Sequence, residues 1–207
     1  MTTVQGAPVG AVERDVFGYP FVTCRLPVEL DREAHALFEE LWELRPERFH
    51  EITQPFTGKS IPLPRWQQAY GHDYRYTGNV NRALPIPPIL KSYLLWAREM
   101  FDPRLNGLLL NWYDVALRHY IGPHRDSTTD LVEGTPIVTI SLGATRVFRL
   151  SPAKGKGFVD FEAAHGTVFV LPWETNRHLK HAVPHRAKDV GRRISITARA
   201  FAEPHQD

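Results

Sequence analysis

The sequence predicts an α+β chain: two helices and irregular strands, followed by a half built from short antiparallel strands. Two observations carry this reading. Apolar residues recur at helical spacing in Leu30–Leu44 and again in Ile89–Met100. After residue 105, short segments rich in Val, Ile, Thr and Phe are separated by Gly, Pro, Asn or Asp, as in a sandwich or barrel. The 207 residues suffice for one domain, read as 1–207, with helices and an aromatic wall or lid over 1–104 and a β core over 105–207.

The elements follow in order. Residues 1–27 carry several glycines and prolines without a clear period, so an irregular arm with one short strand at Tyr19–Cys24 is expected. Leu30, Ala34, Leu37, Phe38, Leu41 and Trp42 give the first helix its apolar stripe, with Asp31 placed to cap it and Pro46 to discourage continuation. Residues 54–85 are rich in Pro, Gly and aromatics, which suggests short strands joined by turns. Pro87 and Pro88 open the second helix, and Asp102-Pro103 ends it. The expected strands of the β half are Leu108–Trp112, Pro136–Leu142, Arg146–Leu150, Gly157–Phe161, Thr167–Leu171, His181–Pro184 and Arg193–Phe201.

Composition narrows the class. Hydrophobic residues make up 43% and charged residues 23%, close to an ordinary globular protein. No run approaches the roughly 18 apolar residues of a membrane span, and the N-terminus lacks the basic start and apolar block of a signal peptide. The single cysteine, Cys24, suits a reducing cytoplasm, and a monomer is expected. Net charge is only +2, but Arg146–Arg199 holds 11 Lys/Arg against 4 Asp/Glu, which permits a phosphate-bearing partner on that side.

Chemistry concentrates in Asn111–Asp126, NWYDVALRHYIGPHRD. In an extended segment residues i and i+2 share a face, so His124 and Asp126 can reach one point, as can Asn111 and Tyr113. With a distant histidine they would form a 2-His-1-carboxylate triad, which leaves positions open on a non-haem Fe(II). His165, His178, His181 and His185 are the candidates for the third ligand. His181 opens the apolar stretch His181-Ala182-Val183-Pro184 and is preferred, with His178, read as a loop residue, in reserve. In the last strand Arg193, Ser195, Thr197 and Arg199 share one face and Ile194, Ile196 and Ala198 the other. Two arginines thus point into a sheet interior. A guanidinium is costly to bury without an anion, so a carboxylate partner beside the metal is expected.

These residues resemble the AlkB family of Fe(II)- and 2-oxoglutarate-dependent dioxygenases. Asn111-Trp112-Tyr113 matches its Asn-x-Tyr, His124-Arg125-Asp126 its His-x-Asp, and Pro136–Gly143 the strand that follows. His181–Pro184 matches the distal histidine segment, and Arg193 to Arg199 the Arg-x₅-Arg strand. The resemblance implies a double-stranded β-helix (jelly roll), with iron held by His124, Asp126 and His181. It implies that Arg193 pairs with the 5-carboxylate of 2-oxoglutarate, helped by Asn111 and Tyr113. Ser195 stands in the same strand, where an asparagine is common, and Arg199 would orient Asp126 or the 1-carboxylate. With Fe(II), 2-oxoglutarate and O₂, such an enzyme oxidises an N-alkyl group and releases aldehyde, succinate and CO₂. Family members often act on flipped nucleobases of DNA or RNA. Pro64–Gly71 resembles the Pro-Arg…Tyr-Gly stretch of the nucleotide-recognition lid, which makes Arg65, Tyr70 and Tyr76 candidate substrate contacts. Many DNA-repair members carry an acid two positions after the metal aspartate. Here Thr128 stands there and offers no carboxylate to a cationic base. Three alternatives remain: the same oxygenase chemistry on a small molecule or protein side chain, a nucleic-acid-binding module, and a zinc hydrolase.

Overall fold

In the computed structural model the described residues are 8–53, 57–76 and 79–202. The order is β1 (Val12–Val16), β2 (Tyr19–Arg25), α1 (Val28–Ala36), α2 (Phe38–Glu43), β3 (Glu51–Thr53), β4 (Ser60–Pro62), β5 (Trp66–Tyr70), β6 (Tyr74–Tyr76), β7 (Asn79–Asn81) and α3 (Pro88–Met100). Then come β8 (Gly107–Asp114), β9 (Ile121–His124), β10 (Ile137–Gly143), β11 (Arg146–Pro152), β12 (Val159–Ala163), β13 (Thr167–Leu171), α4 (Trp173–His178), β14 (Leu179–Val183) and β15 (Arg192–Arg199).

The last eight strands are shared equally between two sheets. Within a seven-stranded sheet ordered β1-β2-β13-β10-β15-β8-β5 lie four of them, and the other four form a sheet ordered β12-β11-β14-β9. The strand pairs are antiparallel, and the chain crosses repeatedly from one sheet to the other, which is a double-stranded β-helix. Strands from both sides of residue 105 build the larger sheet, since β1, β2 and β5 extend its edges.

Period-two alternation decides what each face does. On the even side of β8, β10 and β15, Leu108, Leu110, Trp112, Val138, Ile140, Ile194 and Ile196 pack against Ala34, Leu41, Trp42, Leu90, Tyr93 and Ala97 of the helices. The Trp112 indole donates to the Leu41 carbonyl at 2.9 Å, which fixes α2 on the sheet. Truncating Leu110, which is fully buried, to alanine would cost about 2–5 kcal/mol. The odd side, carrying Asn111, Tyr113, Thr139, Arg193, Ser195, Thr197 and Arg199, is left to face a cavity between the sheets. The turn from β10 to β11 uses Gly143 at φ +83°, where an added Cβ would lie 2.5 Å from both the Arg192 carbonyl and the Phe38 ring.

Several expectations need correction. The expected helix Leu30–Leu44 is two helices, broken at Leu37 with φ −101° and ψ 11°. Asp31 does not cap it: the helix starts after Pro27, which has no side-chain cap, and Asp31 lies in its first turn. The arm contains an additional strand, β1, paired along its whole length with β2. Gly157 and Phe158 precede β12, and Pro184 lies beyond β14. Three further elements lie where none was expected, β3, β9 and α4. β9 contains Gly122 and Pro123, yet it is the edge of its sheet, where a missing proline N–H needs no partner.

Candidate metal centre

His124 ends β9, Asp126 follows two residues later, and His181 lies on β14 directly opposite His124 in the strand register. One ligand atom from each falls within 4.8 Å of the others. The Nε2 atoms of His124 and His181 stand 3.6 and 3.7 Å from Asp126 Oδ1. The tautomer suits a ligand: His124 Nδ1–H donates to the Gly122 carbonyl at 2.9 Å, so its lone pair is on Nε2, facing the aspartate. Burial pushes His181 down to about 3 and also lowers His124, so both rings are neutral at physiological pH. For Asp126 burial acts upward, but the Arg199 guanidinium bonded to it holds its carboxyl well below the usual range.

Asp126 is fixed by three other side chains. Arg199 Nε and Nη2 both donate to Oδ2, at 2.9 and 2.6 Å. The Tyr74 hydroxyl donates to Oδ1 at 3.2 Å. Asn176, 1% exposed, takes the Asp126 backbone N–H on its Oδ1 at 3.0 Å and returns Nδ2–H to the Asp126 carbonyl at 3.1 Å. Tyr74 and Asn176 escaped the sequence reading, because their partner lies about fifty positions away and no local pattern marks them.

The triad opens on a cavity of about 1360 Å³. On its wall Arg193 is fully buried beside the Tyr113 ring, donates Nε–H to Ser141 Oγ at 2.8 Å, and among the described residues has no hydrogen-bond partner within normal distance for Nη1 or Nη2. Burying a charge without a counter-ion costs several kcal/mol, and two parallel free donors match a carboxylate fork. The donor set therefore fits a dicarboxylate beside a divalent ion. β8 and β15 bring the neighbours together, since Tyr113 is registered against Arg193 and Asn111 against Ser195. Asn111 Oδ1 accepts from Arg65 Nε at 2.7 Å and from Gln67 Nε2 at 3.0 Å.

Of the expected substrate contacts, Arg65, Tyr76 and Thr128 line the cavity. Tyr70 does not. It is 3% exposed, packs in the helix-facing core, and gives its hydroxyl to the Leu44 carbonyl at 3.3 Å. Strand parity gives the reason: Arg65 and Gln67 are odd-numbered and face inward, and Tyr70 is even. Among the other histidines, His165 sits with Asp31 and His35 instead, and His178 belongs to α4, stacked on Tyr19 with ring centroids 4.6 Å apart.

A double-stranded β-helix with a His/Asp/His cluster and an inward arginine whose fork is free defines the class of non-haem metal oxygenases with a dicarboxylate cosubstrate. The family model for the 2OG-Fe(II) oxygenase superfamily matches residues 29–199. The DNA oxidative demethylase ALKBH2 of Homo sapiens is 33% identical over 181 residues, which is 81% of this chain and 68% of that protein. The Mus musculus and Bos taurus proteins of the same name are 31% and 33% identical, each matched over 64% of its length. The solved structure of OsALKBH1 superposes with a TM-score of 0.57 at 17% identity, over 87% of this chain and 96% of that one, and supports the fold alone. The chain belongs to the 2OG-Fe(II) oxygenase superfamily and, by these relatives, to its AlkB family. Its cofactor is Fe(II), with 2-oxoglutarate and O₂ as cosubstrates. Among the described residues no helix is long and apolar enough to cross a membrane.

Proposed function

We propose that this chain is a DNA dealkylase that oxidises the N-alkyl group of a flipped nucleobase and releases aldehyde, succinate and CO₂. The observation that carries the proposal is a cavity joining the His/Asp/His cluster to a wall of Tyr74, Tyr76 and basic side chains, in a chain similar to proteins named DNA oxidative demethylase. In this reading His124, Asp126 and His181 hold the iron. Arg193 takes the 5-carboxylate of 2-oxoglutarate, with Asn111, Tyr113 and Ser195 around it. Iron and 2-oxoglutarate together supply the oxidant for a C–H bond. The side chains arrange it: Arg199, Tyr74 and Asn176 hold Asp126 in one orientation, and the Gly122 carbonyl keeps His124 in the ligand tautomer. Arg65, Tyr76 and Thr128 meet the base, since an aromatic face and a donor fork suit a flat polar ring.

The proposal includes a monomeric enzyme of a reducing, cytoplasmic compartment, supported by a lone cysteine that is buried. Mass spectrometry of methylated DNA and RNA oligonucleotides, incubated with protein, Fe(II) and 2-oxoglutarate, tests the activity. Loss of 14 mass units per methyl group is expected in DNA, on general chemical grounds. Succinate release from a metabolite or peptide panel, with every oligonucleotide unchanged, would move the same chemistry to another substrate.

A further inference from the structure

The cavity is unbalanced in charge. Asp126 is the one carboxylate among its described lining residues, and both of its oxygens are engaged, by Arg199 on one side and by Tyr74 and the histidine cluster on the other. When the site is loaded, the divalent ion and the dicarboxylate cancel in formal charge, and Asp126 cancels Arg199. Arg193 and Arg65 remain. At the rim stand Arg125 and Lys154, and Arg177, whose charge is met by Glu174 at 3.1 Å behind the lining.

Hydrogen-bond capacity has the same bias. Guanidinium and ammonium groups only donate, while the Ser127 and Thr128 hydroxyls donate or accept. Gln67 Oε1 is a buried acceptor without a partner among the described residues, but an amide dipole does not neutralise a full charge. A site of this kind matches a base with carbonyl oxygens and no net charge. It mismatches a base that carries a fixed positive charge and directs amino hydrogens outward, because like charges in a partly desolvated cavity repel strongly.

We infer that this cavity selects neutral, carbonyl-bearing alkylated bases, of the N1-methylguanine and N3-methylthymine type, over the cationic N1-methyladenine and N3-methylcytosine. The inference rests on the nucleobase-dealkylase reading above. It assigns Thr128 as a specificity-determining residue, since it lines the cavity two positions beyond the metal-facing aspartate and adds no carboxylate to the lining.

Four single-stranded oligonucleotides that differ only in the lesion decide the matter, with kcat/KM read at neutral pH. The neutral lesions should exceed the cationic ones by at least about tenfold. Thr128→Asp should shift the ratio about tenfold toward the cationic bases, whereas Thr128→Asn, similar in shape but uncharged, should leave it in place. Binding by fluorescence anisotropy, with Mn(II) in place of iron and without O₂, should give the same order and separates recognition from turnover. A cationic preference in the parent protein overturns the inference and leaves the dealkylase reading standing. So does a neutral preference that Thr128→Asp does not move. No demethylation of any of the four lesions by folded protein overturns both.

Discussion

Two clusters of the same composition, each with one aspartate and two histidines, occupy different places in this fold. In the first, His124, Asp126 and His181 face a cavity. In the second, Asp31 and His35 of α1 meet His165 in the turn before β13. Their residue types do not distinguish them. What surrounds them does. His124 Nδ1–H is spent on a carbonyl, so Nε2 is free to coordinate. His165 is wired in the opposite sense: its Nδ1 accepts the Gly143 N–H at 2.9 Å, so the neutral ring keeps its proton on Nε2, the atom 3.8 Å from Asp31. The His35 and His165 rings stack with centroids 3.8 Å apart and planes at 19°, so in-plane lone pairs cannot meet on one ion. Arg25 already stands 3.8 Å from Asp31, and an added Cβ on Gly166 would come within 2.0 Å of that carboxylate, so the space is filled. A donor set becomes a metal centre only when its supporting hydrogen bonds leave the lone pairs free and convergent.

The contrast can be broken, most severely at the ligands. His124→Ala or Asp126→Ala should lower bound metal from about one ion per chain to near zero, measured by elemental analysis, while Asp31→Ala and His35→Ala keep about one. Arg193→Leu comes next. It removes the free fork from the wall and should raise the 2-oxoglutarate KM by about 100-fold, with metal content unchanged. Asn176→Ala touches neither metal nor cosubstrate, yet should weaken Co(II) affinity by about 10–100-fold in a spectroscopic titration, because Asp126 loses its backbone clasp. The smallest effect belongs to the second cluster. Burial, then His35, lowers the His165 pKa from 6.5, so the unfolded chain binds the extra proton first. The stability that His165 contributes is therefore complete above pH 6.5 and is lost as the pH falls below it. His165→Asn, whose oxygen can still accept from Gly143, should flatten that acid-side decline and change Tm by about 2–4 °C.

Much of this was legible because it obeys period two. The alternation in β15 puts Arg193 and Arg199 on one face and the isoleucines on the other, and His-x-Asp follows the same arithmetic across the end of β9. The same rule applied to β5 would have set Tyr70 apart from Arg65; the family pattern overrode it, and the structure sides with the parity. Distance made other features illegible. Tyr74 and Asn176 gain their roles only when β6 and α4 are folded against Asp126, and neither residue carries a local signature. β9 was hidden by composition, since Gly122 and Pro123 argue against a strand except at a sheet edge, and the edge position is a property of the whole topology.

That edge position has a consequence for how the enzyme is loaded. Among the described strands β9 pairs with β14 alone, through the pairs His181–His124 and Val183–Ile121 with a register shift between them. A strand anchored so sparsely opens locally before the rest of the sheet. An ion held by His124 and His181 would tie β9 to β14, so cofactor loading and local order would rise together. Amide hydrogen exchange at Ile121, Gly122 and His124 should slow markedly on metal binding, while the β8–β15 ladder is unaffected. The metal-free protein is then expected to open first at this margin, beside the residues that hold the ion.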